Sequence, residues 1–316
     1  MNKSVIIGPV GYERLFPESV KQLEESGYDV ILNPGNGPIT VEHLNQYGSQ
    51  CHAIIAGLEP WDEQRMALVP KCRIIAKCGA GLDSIDVKTA RKRGIRVTSA
   101  VGKNANAVAE LTVALMLDLI RGVSHSTRLL RHGRRVLHSG YELSGMTVGI
   151  IGWGNIGRLV ARRLSGFDVR FVVFDPAITG PVPGVTLALS IEALVKASDV
   201  VTLHTPLTEH TAHMINSELL EHFKPNAYLI NTARGGLIDE DALANALDNK
   251  KLAGAGLDVL VDEITPGSSR LIGRPDVVIS PHLGAETWDA YRAVGDQNVE
   301  DILTTLGSPR MHKESK

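Results

Sequence analysis

Arg234, Glu263 and His282 are residue types that could act together on one small molecule. Each follows an apolar run: Ala227 to Asn231, Gly254 to Leu260, and Val277 to Ser280. A fourth run, Val200 to His204, leads into Thr205-Pro206, and Asp258 lies near the end of the run that precedes Glu263. A histidine titrates in the range where a proton can be passed to or from an alkoxide. A carboxylate beside the ring fixes its tautomer and orientation. An arginine can bridge a carboxylate and an adjacent carbonyl oxygen, orienting the one and polarising the other. Such a set suits hydride transfer at an α-carbon that bears a hydroxyl or keto group, with His282 supplying or taking the proton. If the apolar runs are strands of an open parallel sheet, all these groups gather at its carboxyl edge, where such sheets bind ligands.

The partner for that chemistry is written between Met146 and Pro176. A β-rich run, Thr147 to Ile151, meets Gly152, Gly154 and Gly157 in the spacing G-x-G-x-x-G; a helical stretch and a second apolar run follow, ending in Asp175. Gly152 permits a tight turn, Gly154 admits a pyrophosphate close to the backbone, and Gly157 lets helix and strand pack closely. The helix start offers N–H groups to phosphate. Asp175 is placed to accept from the adenosine ribose hydroxyls and to repel a 2′-phosphate, which favours NAD over NADP.

These residues need a scaffold, and the rest of the chain alternates strand and helix as a doubly wound α/β protein does. With 316 residues, two domains are expected. Strands are expected at Ser4 to Ile7, Asp29 to Leu32, Ala53 to Ala56, Ile74 to Lys77 and Arg96 to Thr98, so the first hundred residues form an α/β domain of their own. Residues 102–121 predict a long helix, apolar nearly all round, linking the two domains, with helix continuing over Ser124 to Gly133. Thr287 to Leu306 is a terminal helix, and the tail Gly307 to Lys316 is polar. The net charge of −2 gives no general attraction to nucleic acid or an anionic membrane. No segment reads as a bilayer span or a signal peptide, and three cysteines without C-x-x-C spacing predict neither disulfides nor a metal site. A cytoplasmic protein is expected. Lys77 and Arg73 flank the loop Cys78 to Asp83 and read as solvated charges; Asp83 and Asp86 read as caps, and Cys78 as core.

At this point the chain resembles the NAD-dependent D-isomer-specific 2-hydroxyacid dehydrogenases, most closely their phosphoglycerate dehydrogenase-like branch. The resemblance is carried by KCGAGLDSID (77–86), NANAVAELT (104–112), the 152–157 fingerprint with Asp175, HTPLT (204–208), NTARGGLIDEDAL (231–243), GAGLDV (254–259) and SPHLGAET (280–287). It implies that Arg234 binds substrate, Glu263 supports the histidine and His282 is the acid/base. It implies NAD contacts from Asn155, Ile156, Asp175, Thr205, Pro206, Ala233 and Asp258, the last toward the nicotinamide amide, with His204 and Thr232 beside them. Backbone N–H groups of Ala80 and Gly81 would hold the substrate carboxylate. The implied architecture is a Rossmann NAD domain (102–284) inserted into a flavodoxin-like substrate domain (1–101 with the returning helix of 285–316). A homodimer is implied too, burying the apolar helical region 104–140.

The D configuration, and a preference for phosphoglycerate or hydroxypyruvate, rest on the resemblance alone. Two departures bear on the site. Ile264-Thr265 separate Glu263 from Pro266, where the family has proline directly after the glutamate, so Asp262 is an alternative partner for the histidine. Ala-Glu-Thr at 285–287 stands where Ala-Ser-Thr is common. The rival readings are an NAD-sensing binding protein on the same fold, like the C-terminal-binding corepressors, and a dehydrogenase of an unusual acid such as phosphite. Formate is disfavoured, because it would call for an amide where Glu263 stands.

Overall fold

The computed structural model describes residues 3–137, 139–263 and 265–308. Ile264 and the tail beyond Ser308 lie outside them. The chain divides into two compact units, residues 1–104 with 285–316, and residues 105–284.

The first unit is built on β1 (Ser4–Ile7), β2 (Asp29–Leu32), β3 (Cys51–Ala56), β4 (Ile74–Lys77) and β5 (Arg96–Ser99). Their order is β2-β1-β3-β4-β5, every pairing parallel, which is the flavodoxin-like winding. The three middle strands are apolar and buried on both faces, as a covered parallel sheet requires. The terminal helix Trp288–Leu306 closes this unit, capped by the Thr287 hydroxyl, which accepts from Ala290 N. Val294, Val299 and Ile302 enter the same core as Tyr12, Phe16 and Leu23. Gly295 permits the approach, since a Cβ there would lie 2.3 Å from Ser19 Oγ.

The second unit holds β6 (Thr147–Ile151), β7 (Arg170–Phe174), β8 (Thr186–Leu187), β9 (Val200–Leu203), β10 (Ala227–Asn231), β11 (Leu252–Leu257) and β12 (Val277–Ile279). The parallel order β12-β11-β10-β9-β6-β7-β8 is the Rossmann arrangement with one strand added at the β12 edge. Its winding reverses between β6 and β9. The helix Ala105–Arg121, expected as a link, belongs to this unit and packs on β10, β11, β12 and the helix Asn155–Leu164. Glycines in β11 let it sit close: a Cβ on Gly254 would lie 2.9 Å from Leu119 Cδ1, and one on Gly256 3.3 Å from Leu115 Cβ. Helix does continue beyond Arg121, but only after a break at Gly122, whose left-handed backbone (φ 62°) separates it from Val123–Arg131. The run read to Leu260 leaves the sheet after Leu257, because Asp258 is committed to a neighbouring turn.

Candidate active site

At the winding reversal, the glycine turn meets the end of β9. Gly152 has φ 98°, and a Cβ there would lie 2.5 Å from His204 O, so both conformation and contact demand glycine. A Cβ on Gly157 would lie 2.2 Å from Gly152 O, which sets the approach of helix to strand. Around Gly154 a Cβ would meet nothing within 4 Å. Gly154 is also the N-cap of the helix Asn155–Leu164 and brings no side chain to its free N–H groups. That open, donor-rich helix start is a cradle for an anion. Asn155 is exposed and Ile156 half-buried at its mouth.

Asp175 follows β7 and grips the turn opposite. Its Oδ2 accepts from Trp153 N at 2.7 Å and its Oδ1 from Ala177 N at 2.8 Å. Beside it opens a cavity of about 780 Å³, lined by Trp153, Gly154, Arg158, Asp175 and the segment Ala177 to Pro183. Arg158 Nε donates to Trp153 O at 2.9 Å. An uncapped helix start, a cavity and a carboxylate on its wall together fit a dinucleotide.

Farther along the same carboxyl edge, Glu263 Oε2 accepts from His282 Nδ1 at 2.8 Å. Both side chains are about half-exposed. The bond fixes the ring and leaves Nε2 outward to give or take a proton. Asp262 instead accepts from Thr265 N at 2.9 Å, closing its own loop, so Glu263 is the carboxylate on the histidine. The His282 backbone is left-handed, φ 54°, unusual for a residue with a Cβ. It is held there by Asp258. The Asp258 Oδ1 accepts from Ser280 Oγ (2.5 Å) and Leu283 N (2.7 Å), its Oδ2 from Gly284 N (2.8 Å), and its carbonyl from His282 N (2.8 Å). Asp258 is 1 % exposed. Its carboxylate receives three donors of the histidine turn, which ties the end of β11 to that turn.

Arg234 follows β10 on a turn that Asn231 clamps: Asn231 Nδ2 donates to Arg234 O at 2.9 Å, and Oδ1 accepts from Ala233 N at 3.0 Å. Sequence reading assigned Asn231 no role. Its signal was a carboxamide closing a wholly buried apolar strand. Thr232 is buried, its hydroxyl 2.9 Å from that of Thr112, so its side chain ties the turn to the long helix. His204 shares a 3.0 Å hydrogen bond between Nε2 and Thr202 Oγ1, while Nδ1 is enclosed and meets no partner among the described residues. Burial pushes its pKa down to about 3, so the ring is neutral at physiological pH. Pro206 O accepts from Thr211 Oγ1 at 2.7 Å, fixing the loop beyond Thr205.

In the first unit, the loop after β4 carries Ala80 and Gly81, whose N–H groups meet no protein acceptor among the described residues. Lys77 and Arg73 do not flank this loop as a solvated pair. Arg73 lies at the opposite end of β4, whereas Lys77 is 6 % exposed and its ammonium donates to Gly57 O. Glu59, also buried, accepts from Gly57 N (2.8 Å) and Trp61 Nε1 (3.0 Å). Burial pushes the Cys78 thiol up to about 12, which suits core and not a nucleophile. Asp86 caps the helix Val87–Lys92. Among the described residues no helix is long and apolar enough to cross a membrane, and no cluster is placed to hold a metal ion.

The family described as D-isomer specific 2-hydroxyacid dehydrogenase, NAD binding domain, matches residues 113–284. The chain is 42 % identical over 244 residues to a hydroxypyruvate reductase of Thermotoga maritima, covering 74 % of this chain and 78 % of that one. It is 40 % identical over 241 residues to a D-3-phosphoglycerate dehydrogenase of Methanocaldococcus jannaschii, covering 75 % of this chain and 46 % of that one. The crystal structure of the TT0316 protein from Thermus thermophilus superposes with a TM-score of 0.86 at 33 % identity, covering 97 % of this chain and 98 % of that one.

Proposed function

The chain belongs to the D-isomer-specific 2-hydroxyacid dehydrogenase family, and from that premise we propose that it interconverts a small D-2-hydroxy acid and its 2-keto acid. Acids like hydroxypyruvate or phosphoglycerate are the favoured substrates, in line with the reductase and dehydrogenase it is similar to. The observation that carries the reading is the His282–Glu263 hydrogen bond of 2.8 Å, on the carboxyl edge that holds the dinucleotide cradle. When bound, the nicotinamide supplies or accepts the hydride. His282 Nε2 gives the proton to the nascent alkoxide in reduction and takes it back in oxidation. Glu263 holds Nδ1 and so keeps the ring oriented with Nε2 toward the substrate. Arg234 orients the substrate carboxylate and polarises the keto oxygen, and the N–H groups of Ala80 and Gly81 are further donors to that carboxylate.

NAD is the proposed cofactor. The Asp175 carboxylate is fixed by two backbone donors on the cavity wall, where the 2′-phosphate of NADP would meet a like charge. Contacts from Asn155, Ile156, Thr205, Pro206 and Ala233 complete the assignment. We assign residues 105–284 as the NAD-binding domain and the first unit as the substrate domain. Three free cysteines, two of them buried, fit a reducing cytoplasm. A homodimer is supported by the helix Val123–Arg131, which buries no residue and leaves Val123 and Leu130 exposed, as are Leu137 and Tyr141 beyond it.

The test is oxidation of NADH and NADPH by wild-type and His282→Ala protein over a panel of 2-keto acids: hydroxypyruvate, phosphohydroxypyruvate, glyoxylate, pyruvate, sulfopyruvate and oxaloacetate. One acid should turn over well with NADH, and the variant should lose about 100-fold or more of that rate. Cofactor binding without turnover of any acid would sink the dehydrogenase reading and favour a dinucleotide-sensing protein.

A further inference from the structure

The loop that carries Glu263 leaves the core at Leu260, 8 % exposed, and returns to it at Leu271, fully buried. Between them no described residue is buried: Val261 is 59 % exposed, and Asp262, Glu263, Thr265, Gly267 and Ser268 are exposed. Packing therefore does not hold the loop in place. One side chain touches both of its feet. Glu240, the first residue of the helix Glu240–Asp248, accepts from Val261 N at 2.7 Å through Oε1 and from Ser269 Oγ at 2.6 Å through Oε2. The helix is fixed in turn by its Asp239 cap, which accepts from Ala242 N at 3.0 Å, and by Ala242, Leu243, Ala244 and Leu247 in the core. Beside the nearer foot, Gly235 brings the Arg234 turn against the chain, since a Cβ there would lie 2.1 Å from Leu260 C.

We propose that Glu240 is a positioning residue for the reaction: by bridging Val261 and Ser269 it sets the reach of Glu263, and through it the orientation of His282. The inference rests on the reading of His282 as acid/base and Glu263 as its support. A single carboxylate is suited to the task because its two oxygens span two donors on opposite limbs of the loop. The alternative role, a counter-charge in the surface network where Arg270 meets Asp241 and Asp248, would act on stability and not on turnover.

The experiment measures kcat, KM and NADH binding for full-length Glu240→Ala, Glu240→Gln, Glu263→Gln and the double variant Glu240→Ala/Glu263→Gln, with the best acid of the panel. A displaced loop in Glu240→Ala should lower kcat by about tenfold with NADH affinity unchanged. Glu240→Gln should restore most of the rate, because the amide oxygen still accepts from Val261 N–H and the amide NH₂ can donate to Ser269 Oγ. In the Glu263→Gln background the alanine change should cost nothing further, since its effect runs through Glu263. Should Glu240→Ala fail to fold, Ser269→Ala frees one foot alone and should give a smaller loss of the same kind. Losses that multiply in the double variant, or a glutamine variant as impaired as the alanine, would overturn the inference while leaving the acid/base reading intact. A Glu263→Gln enzyme as active as wild type would overturn the acid/base reading, and the inference with it.

Discussion

Two regions of the second unit use the same device to different ends. At the tip of β7, Asp175 accepts a backbone N–H from the turn that follows neighbouring β6. Just beyond β11, Asp258 accepts backbone N–H groups from the turn that follows neighbouring β12. In each, a carboxylate at a strand end grips the next strand's turn. The surroundings differ. Asp175 remains partly exposed on a cavity, between glycines whose missing side chains leave space. Asp258 is shut in by three donors and holds a histidine in a left-handed backbone. Binding a large cofactor calls for room that can be filled; orienting a reacting group calls for more constraints than the turn would otherwise have.

The sharpest way to break the histidine region is Asp258→Ala. It would strand the buried Gly284 N–H and the part-buried Ser280 hydroxyl and Leu283 N–H, at a loss of about 2 kcal/mol. Turnover should collapse with it; denaturant melts and kcat read both, and an active, stable variant would show that the cage does not hold the histidine. Next comes the cofactor region. Gly157→Ala sets a methyl against Gly152 O, which backbone cannot yield cheaply, so we expect a loss of about 2 kcal/mol. NADH affinity should fall about tenfold, equivalent to ~1.4 kcal/mol, while the rate at saturating NADH changes little. If kcat falls equally, the two regions are not separable.

The effect that is smallest at neutral pH lies between the two regions, at His204, and grows only as the solution is acidified. With its folded pKa down at about 3 against an ordinary 6.5, the unfolded chain takes up a proton below pH 6.5 that the folded chain refuses. Stability should therefore decline as pH falls from about 6.5 toward 3, by at most about 1.4 kcal/mol per pH unit from this group. In His204→Asn that part of the slope should vanish. Parallel stability curves for variant and wild type would refute the assignment.

Much of this was legible beforehand because parallel strands buried on both faces spell themselves as short apolar runs between turn signals. Both windings follow from such runs, and Arg234, Glu263 and His282 each come after a strand of the second sheet, as the runs preceding them suggest. What was not legible depends on backbone groups brought together by the fold. Nothing in the sequence says that Leu283 and Gly284 would point their N–H groups at Asp258, or that Asn231 would clamp the arginine turn. Lys77 is buried and not solvated for the same reason: its acceptor, Gly57 O, lies on a neighbouring strand's exit. The edge strand Thr186–Leu187 and the helix Tyr12–Leu15 are too short to leave a periodic pattern.

The left-handed backbone at His282 also sets what selection can do with this protein. Holding a residue with a Cβ there costs about 1 kcal/mol or more, which glycine would not incur. Breeding the protein for heat endurance without screening for turnover should therefore drift toward His282→Gly, so durability and chemistry pull opposite ways at one φ angle.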